Sequence, residues 1–312
     1  MQPAADNLPP GTDRVLILVN PKAGASSAMA RTDRLAKLLG ERGFRTDVSV
    51  DLAAAACRAN GWHAEGCLRA LVAVGGDGTA AELVNRTAAG LPITLLPAGN
   101  ENLLARHLGL GPTPEACCQT IAGGRLVRLD AAVAGGRVFL LMASCGFDAD
   151  VVRRVHARRK GHVRRSTYFK PILDSIRSYQ YPELQVSWSK GPAGSRPQWS
   201  DPVAAGWLFA FNVPRYGGGL RIAPEADASD GLLDVCTFRR AGLWHGLWYA
   251  AAVLLRQHRR LGDCTMYRAS AIRVTSEGEV PYQLDGDPGG LLPLEIEILP
   301  GRMTLLVPEE RY

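Results

Sequence analysis

The stretch that decides the fold is Leu71–Asn85, with the sequence LVAVGGDGTAAELVN. Its first four residues are apolar and predict a buried strand, and a glycine-rich loop follows them. Thr79 and Glu82 stand at the spacing of a capping box, so we predict that a helix begins at Thr79. A glycine-rich turn between a strand and a helix turns backbone N–H groups and the positive helix end towards an anion. The stretch therefore predicts a phosphate site.

The acidic residue of this loop, Asp77, repels a bare phosphate. Its presence is explained if Mg²⁺ or a sugar hydroxyl also binds there. The glycines Gly75, Gly76 and Gly78 let the backbone approach a ligand without a Cβ in the way. A purely structural turn is the alternative, but so dense a group of special residues favours binding. Our hypothesis is a nucleotide-phosphate site, and hence phosphoryl transfer.

The composition is that of an ordinary globular protein, with 312 residues of which 46% are hydrophobic and 21% charged. This length allows two domains, each with its own core. The net charge of +6 favours anionic partners such as nucleotides or lipid headgroups, and no further feature indicates nucleic acid. Seven cysteines without a C-x-x-C pair argue against a zinc site and a disulfide framework, and are typical of a reducing cytoplasm.

The hydropathy pattern does not predict a secretory signal or a membrane-spanning segment. The segment 1–12 has no basic n-region and no apolar h-region, so we expect no secretory signal. The longest apolar run, Leu243–Leu255, is interrupted by His245 and is shorter than the roughly 20 residues that span a bilayer. We therefore expect a cytoplasmic protein.

Strands and helices alternate over the first 124 residues. The predicted strands are Arg14–Asn20, Phe44–Val50, Leu71–Val74 and Pro92–Pro97, and the predicted helices run from about Ser26 to Leu39, over Leu52–Ala59, from Thr79 and over Leu103–Leu108. This alternation predicts an α/β domain with a doubly wound parallel sheet. The loops NPKAG, GGDGT and GNEN each follow a strand, and ligands of open α/β sheets bind at that edge.

After about Gly124 the pattern changes to short strands between Gly, Pro and Asp turns. The predicted strands are Leu126–Val133, Val138–Ala143, Leu184–Trp188, Trp207–Asn212, Leu232–Phe238, Ala271–Thr275 and Leu294–Leu299. This spacing predicts a β-rich, sandwich-like or barrel-like second domain. One late helix is predicted over Leu243–Leu261.

Several motifs follow one another in a characteristic order. They are Asn20–Gly24, Gly75–Thr79, Pro97–Asn102, Gly146–Asp148, Gly217–Gly219, Ile222–Asp234 and Asp285–Asp287. With these motifs the chain resembles the diacylglycerol kinase catalytic superfamily, in its soluble bacterial lipid-kinase branch, which is related to sphingosine and ceramide kinases. GGDGT alone is shared with NAD kinases, and the later DGLLD and DGD segments make the resemblance specific.

The resemblance implies ATP-dependent phosphorylation of a lipid hydroxyl, with diacylglycerol as the default acceptor and phosphatidic acid as its product. It implies an NAD kinase/phosphofructokinase-like nucleotide-binding domain at 1–124 with 300–312. The lipid-substrate and metal-binding domain is then 125–299. A role in phospholipid biosynthesis or in signalling stays open.

The resemblance also implies which residues contact the nucleotide. These are Asn20, Pro21, Lys22, Gly24, Gly75, Gly76, Asp77, Gly78, Thr79, Asn100 and Asn102. A lysine in such a loop is a natural phosphate partner, and a strand-ending turn is the alternative. Asn100 stands where the family usually has Thr, and Leu103 where an Asp often follows. Asn102 is retained, and we expect it to cap a helix or to bind the nucleotide.

Two acidic segments of the second domain match the family's functional sites. Asp227, Asp230 and the carbonyl of Leu232 match a structural Mg²⁺ site, with an acidic surface turn as the alternative. Asp285-Gly286-Asp287 is a hairpin turn on its residues alone. The resemblance makes this pair the source of the general base. We expect Asp285 to be the base with Asp287 supporting it, and which of them takes the proton stays open.

Two further segments bear on the membrane. The basic run Arg153–Arg165 either contacts anionic headgroups, forms a solvated face or neutralises ATP. Trp244, Trp248 and Tyr249 of the late helix either enter the membrane interface or belong to the core. We expect peripheral association with the membrane that holds the lipid substrate, and a homodimer is compatible with the sequence. The rival functions are an NAD kinase-like enzyme and a non-catalytic nucleotide-binding regulator.

Overall fold

The structure is a computed structural model that describes residues 5–8, 11–20, 25–158, 165–217 and 220–309. The chain divides into two compact units. The first unit comprises residues 1–129 and 301–312, and the second unit comprises residues 130–300. The boundaries predicted from the sequence lie at 124/125 and 299/300.

The first unit alternates strands and helices. Its elements are β1 (Ala5–Asn7), β2 (Arg14–Val19), α1 (Ala25–Glu41), β3 (Arg45–Ser49), α2 (Leu52–Ala64), β4 (Leu68–Gly75), α3 (Asp77–Arg86), β5 (Pro92–Pro97), α4 (Leu103–Leu108), α5 (Pro114–Gly123) and the first half of β6 (Arg125–Ala134). Strands β3, β2, β4 and β5 lie side by side in that order, and all their pairings are parallel. The predicted parallel α/β sheet is confirmed.

A strand from much later in the chain extends this sheet. Strand β17 runs over Leu294–Leu306, and its residues 301–306 belong to the first unit. Thr304 and Leu305 pair with β5 in parallel register. The hydroxyl of Thr94 also donates to the carbonyl of Leu306 over 3.2 Å.

The apolar character of the strands explains why helices cover both faces of the sheet. Alternate residues of a strand face opposite sides, and Leu16, Ile17, Leu71 and Val72 are all fully buried. Helices α1 and α5 pack on one face through residues such as Leu35. Helices α2 and α3 pack against each other and against β4. The sequence analysis did not predict α5, although Thr113 and Pro114 form a clear helix start, in which the Thr113 hydroxyl accepts the N–H of Ala116.

The second unit is built of antiparallel strands with three helices. Its elements are β7 (Arg137–Phe139), β8 (Met142–Cys145), α6 (Phe147–Ala157), α7 (Phe169–Ser178), β9 (Leu184–Ser189), β10 (Val203–Ala205), β11 (Trp207–Phe211), β12 (Leu233–Phe238), α8 (Leu243–Leu254), β13 (Cys264–Ala269), β14 (Ala271–Thr275), β15 (Pro281–Leu284), β16 (Asp287–Leu291) and the first part of β17. One sheet has the order β13-β12-β11-β8-β15-β16. A second layer has the order β10-β9-β14-β17.

The side chains of the two layers share one core. Val186 and Ile272 of the second layer pack into the same buried cluster as Leu208, Val235 and Leu284 of the first sheet. The predicted sandwich is confirmed. The prediction missed α6, α7, β10, β13, β15 and β16 as regular elements. The single strand predicted over Val138–Ala143 is two strands, β7 and β8, and the late helix ends at Leu254 instead of Leu261. Among the residues that the structure describes, no helix has the length and apolar character needed to cross a membrane.

Candidate active site

Three loops of the first unit meet at the carboxyl edge of its parallel sheet. The N–H of Asn20, after β2, donates to the carbonyl of Val74, and the N–H of Ala98, after β5, donates to that of Gly75. The side chain of Asn20 donates to the Thr79 hydroxyl over 2.9 Å. The three polar loops predicted to share one edge are therefore joined by hydrogen bonds. Pro21, Lys22 and Gly24 lie outside the described residues.

The glycines of these loops have a packing reason in addition to any role with a ligand. A Cβ on Gly99 would lie 2.7 Å from the Cα of Gly76 and 2.8 Å from Oδ1 of Asn102. A Cβ on Gly75 would lie 2.8 Å from the Cβ of Thr79. The backbones of the GGDGT and GNEN loops thus come into direct contact only because side chains are absent.

Helix α3 begins two residues earlier than predicted. Its first residue is Asp77, and Gly76 occupies the N-cap position with extended backbone. The predicted capping box of Thr79 and Glu82 is therefore wrong. Thr79 lies inside the first turn, where its hydroxyl accepts a hydrogen bond from Asn20. The helix N-terminus still follows directly on β4, which is the arrangement that favours an anion.

Asp77 points to helix α4. Its Oδ2 accepts the N–H of Leu103 and its Oδ1 accepts the N–H of Leu104, each over 2.9 Å. Burial raises the pKa of Asp77 above its usual value, against the opposing effect of these two backbone donors. The carboxylate therefore has a structural explanation that competes with the expected contact to a metal ion or a sugar hydroxyl.

Asn102 does not cap α4 with its side chain, although it occupies the N-cap position. Its Oδ1 accepts the N–H of Gly99 and its Nδ2 donates to the carbonyl of the same residue. Its backbone is left-handed, with φ of 47°, a conformation that Asn tolerates better than most residues. Asp77 fulfils the capping role instead. Asn100 lies exposed in the same loop.

In the second unit, Asp285 and Gly286 form the tip of a hairpin between β15 and β16. Both residues have positive φ, and Leu284 pairs with Asp287 across the turn. Two successive positive φ values are what a tight hairpin requires, and an Asp-Gly pair supplies them at low cost. The hairpin predicted from residues 285–287 is thus present.

The Asp285 carboxylate binds the backbone that precedes β8. It accepts N–H groups of Leu140, Leu141 and Met142 over 2.7, 2.8 and 3.0 Å. Its own N–H donates to the carbonyl of Met142 over 2.9 Å. Much of the acceptor capacity of Asp285 is therefore used within the protein.

Asp287 has a different environment. Its side chain is 39% exposed, and its two oxygens lie 3.8 Å from Arg137 Nη2 and 3.8 Å from His156 Nδ1. Both distances exceed a hydrogen bond, and the carboxylate stays partly accessible. Asp287 thus differs from Asp285, whose carboxylate is held by three backbone N–H groups.

A buried polar network supports this hairpin, and the sequence analysis missed it. Gln283 Oε1 accepts the N–H of Gly286 over 2.7 Å, and its Nε2 donates to the Ser144 hydroxyl over 2.9 Å. Ser144 and Tyr216 in turn donate to the two oxygens of Asp148, each over 2.6 Å. Burial, together with the charge of Asp148, raises the pKa of Tyr216 well above its usual value. The signal in the sequence was the Gly146-Phe147-Asp148 motif, to which no role was assigned.

The predicted Mg²⁺ turn is closed by its own hydrogen bonds. Asp227 Oδ1 accepts both the N–H and the hydroxyl of Ser229. Asp230 Oδ1 accepts the N–H of Leu232, while Arg268 Nη1 lies 3.3 Å from its Oδ2. A guanidinium at that place competes with a cation, so the turn does not fit Mg²⁺ as it stands. Within the described ranges, no group of three or more His, Cys, Asp or Glu side chains is arranged to hold a metal ion.

The described part of the basic run is largely occupied by ion pairs. Arg153 and Arg154 bind the carboxylate of Asp150 over 2.7 and 2.6 Å, and Arg158 binds Asp174 over 2.6 Å. Residues 159–164 lie outside the described residues. Membrane contact through the whole of Arg153–Arg165 stays a prediction.

Sequence profiles of known families cover both units. The profile "Diacylglycerol kinase catalytic domain" matches residues 14–134, and "YegS C-terminal NAD kinase beta sandwich-like domain" matches residues 142–307. The two profiles match adjacent parts of one chain. The fold and these matches define a kinase with an NAD kinase-like architecture. The chain belongs to the diacylglycerol kinase catalytic-domain family, in the bacterial lipid-kinase branch that carries the YegS C-terminal domain.

Individual relatives agree with this assignment. A diacylglycerol kinase of Bacillus subtilis is 24% identical, over 96% of this chain and 97% of the relative. A probable lipid kinase YegS-like of Chromohalobacter salexigens is 27% identical, over 77% of this chain and 76% of the relative.

Solved structures show the same fold. A putative diacylglycerol kinase from Bacillus anthracis has a TM-score of 0.73 at 20% identity, with 97% of this chain and 98% of that chain covered. An NAD kinase from Archaeoglobus fulgidus in complex with ATP has a TM-score of 0.53 at 13% identity, with coverage of 96% and 95%.

Proposed function

We propose that this lipid-kinase family member transfers the γ-phosphoryl group of ATP to the free hydroxyl of diacylglycerol, which gives phosphatidic acid. The observation that carries the proposal is the junction of three loops at the carboxyl edge of the parallel sheet, where helix α3 begins directly after β4. Such an edge is the usual ligand site of open α/β sheets, and a helix N-terminus there favours phosphate. The name of the Bacillus subtilis relative, diacylglycerol kinase, suggests the acceptor.

In this proposal the first unit binds the nucleotide. The loop backbone from Gly75 to Thr79 approaches the phosphates, and Asn20, Lys22 and Asn100 complete the contacts. Asp77 and Asn102 act by fixing the loops, since their side chains bind backbone groups of α4 and Gly99. Mg²⁺ accompanies the triphosphate and neutralises its charge. The separate Mg²⁺ site predicted at Asp227, Asp230 and Leu232 is not part of this proposal, because hydrogen bonds and Arg268 occupy its turn.

The second unit supplies the base. Asp287 accepts the proton of the acceptor hydroxyl while that oxygen forms a bond to the γ-phosphorus, the bond to the β-phosphate oxygen breaks, and ADP leaves. This assignment exchanges the two expected roles, since Asp285 is held by three backbone N–H groups and Asp287 is accessible. Positioned general bases contribute about 10² to 10⁴ in rate.

A radiolabelled-ATP assay with Mg²⁺ tests the proposal. The acceptors are diacylglycerol, sphingosine, ceramide and a polyprenol, with NAD in parallel. Label in diacylglycerol supports the proposal, and label in another lipid instead refutes the acceptor while retaining the lipid kinase. Label in NAD alone identifies an NAD kinase-like enzyme, and no transfer to any acceptor favours a nucleotide-binding regulator.

The proposed setting follows from the acceptor. A kinase of diacylglycerol works at a membrane surface from the cytoplasm, in phospholipid metabolism, without a nucleic-acid partner. Whether two copies associate is measured by light scattering after size exclusion, and a homodimer is compatible with the proposal.

A further inference from the structure

Helix α8 exposes a continuous apolar face, which we call the α8 face. Trp244, Leu247, Trp248, Leu254 and Leu255 form it, at spacings that place them on one side of the helix. Trp244 is 80% exposed, Trp248 61% and Leu255 71%. Single exposed apolar residues are ordinary, but a contiguous group of two tryptophans and three leucines marks an interaction surface.

The opposite side of α8 is firmly anchored, so the exposed side is a fixed feature of the fold. Tyr249, Ala252 and Val253 are buried. The ring of Tyr249 stacks on Phe238 at 4.3 Å between centroids, and its hydroxyl donates to Asp263 over 2.7 Å. A Cβ on Gly246 would lie 2.7 Å from the ring of Trp207, which shows how closely the helix packs. Tyr249, grouped with the tryptophans in the sequence analysis, is therefore a core residue.

Arginines stand at both ends of the α8 face. Arg239 and Arg240 precede the helix, and Arg256, Arg259 and Arg260 follow it, all of them exposed. The sequence from 239 to 262 contains no acidic residue. Arg240 lies 3.6 Å from Asp263, and Arg259 pairs with Glu225. The surplus of positive charge around an apolar centre is complementary to an anionic partner with an apolar interior.

We propose that the α8 face docks on an anionic lipid bilayer, with the helix lying in the plane of the membrane interface. Tryptophan rings favour that interface, and arginines at the rim reach the headgroups. A 12-residue helix is about 18 Å long, enough to lie on the surface and too short to cross it. A second copy of the same face is disfavoured, because arginines at both ends would meet arginines in either orientation.

This surface differs from the basic run considered in the sequence analysis. Arg153, Arg154 and Arg158 are bound to Asp150 and Asp174, whereas the α8 face combines exposed aromatic area with arginines at its rim. Each basic residue near an anionic surface adds electrostatic attraction, and the apolar side chains add burial. The idea that this docking brings the enzyme to an acceptor in the bilayer rests on the proposed function. The binding of the α8 face to the bilayer does not depend on that function.

The test is co-sedimentation of the whole protein with two kinds of unilamellar vesicle, one of phosphatidylcholine alone and one that also contains the anionic lipid phosphatidylserine. We expect binding to the anionic vesicles, and a loss of about tenfold or more in affinity for the double variant Trp244→Gln/Trp248→Gln. Arg239→Gln/Arg260→Gln should weaken binding only to the anionic vesicles. The matched control is Phe169→Gln, which removes another aromatic side chain that is 70% exposed but lies on α7.

Unchanged binding of the double tryptophan variant overturns the proposal, as does a loss confined to Phe169→Gln. A dimeric wild type that becomes monomeric in the tryptophan variant, without vesicle binding by either, assigns the face to a second copy instead. Thermal unfolding confirms that the variants fold. Phosphorylation of a short-chain acceptor dispersed as monomers separates the docking proposal from the proposed kinase function. This reaction requires the kinase activity but no docking on a bilayer.

Discussion

Asp77-Gly78 in the first unit and Asp285-Gly286 in the second show how the same dipeptide serves two folds. Asp77 and Gly78 open helix α3, whereas Asp285 and Gly286 turn a hairpin with positive φ at both residues. In both places the carboxylate accepts backbone N–H groups from another segment: those of Leu103 and Leu104 for Asp77, and those of residues 140–142 for Asp285. In both places an acid that looks catalytic in the sequence thus fixes the backbone, and in the proposed mechanism a neighbouring acid is the base.

The largest expected effect distinguishes the two acids of the hairpin, of which Asp285 holds the backbone and Asp287 is the proposed base. Asp287→Asn should lower kcat by about 10² to 10⁴ with an unchanged unfolding temperature, because an accessible base is lost while the backbone hydrogen bonds of Asp285 are kept. The measurement is steady-state kinetics with thermal unfolding, and the control is Asp201→Asn, an exposed acid of the same unit. An active Asp287→Asn beside a folded, inactive Asp285→Asn would restore Asp285 as the base.

A second experiment tests the contact between the GGDGT and GNEN loops of the first unit. Gly99→Ala places a Cβ 2.7 Å from the Cα of Gly76, so the loops must move apart. We expect KM for ATP to rise about tenfold or more, and stability to fall by about 1 to 3 kcal/mol. The control Gly61→Ala lies in α2 with open space around its Cβ, and it should be neutral or stabilising. An unaltered KM for ATP in Gly99→Ala would argue against nucleotide binding at this junction.

The third experiment uses urea unfolding to compare how much the Asp77 and Asp285 carboxylates stabilise the protein through their backbone hydrogen bonds. Asp77→Asn and Asp285→Asn each retain one acceptor oxygen and leave backbone N–H groups without a carboxylate, which costs about 1 to 3 kcal/mol. The loss should be smaller at Asp77, because substitution there also removes a charge that burial disfavours. Equal stability of both variants and the wild type would mean that neither carboxylate fixes the backbone.

The smallest effect is a difference in pH dependence. Burial raises the pKa of Asp77, so its contribution to stability falls as pH rises from about 3.8 through the raised value. Burial also acts on Asp150, but hydrogen bonds from Arg153, Arg154 and Ser175 prevail and lower its pKa. Its contribution is present above about 3.8 and is lost as pH falls through the lowered value. Unfolding of Asp77→Asn and Asp150→Asn between pH 3 and 6 should therefore show opposite differences from the wild type.

The fold was largely readable because each strand carries its own signal. Buried runs such as Leu71–Val74 predict strands without tertiary information, and Pro92–Pro97 and Leu103–Leu108 match the structure at both ends. The errors arose where tertiary contacts overrule local patterns. Thr79 was expected to cap a helix, but its hydroxyl accepts from Asn20, 59 positions earlier.

The environment and role of each side chain in the candidate active site depend even more strongly on contacts between distant parts of the sequence. The network from Gln283 to Ser144 joins side chains 139 positions apart, and no local pattern marks Gln283 as buried and functional. The distinction between Asp285 and Asp287 follows from N–H groups at 140–142, which the sequence does not place beside them. Residue types at a site are thus predictable, while the division of labour among them is not.

The final segment of β17 has a consequence for biosynthesis. Strand β5 pairs with residues 304 and 305, and Thr94 bonds Leu306, which the ribosome adds 212 residues later. Until then the nascent first unit exposes an apolar sheet edge, the kind of surface on which chains aggregate. Ribosome-bound chains that stop before residue 300 should therefore need chaperones to stay dispersed.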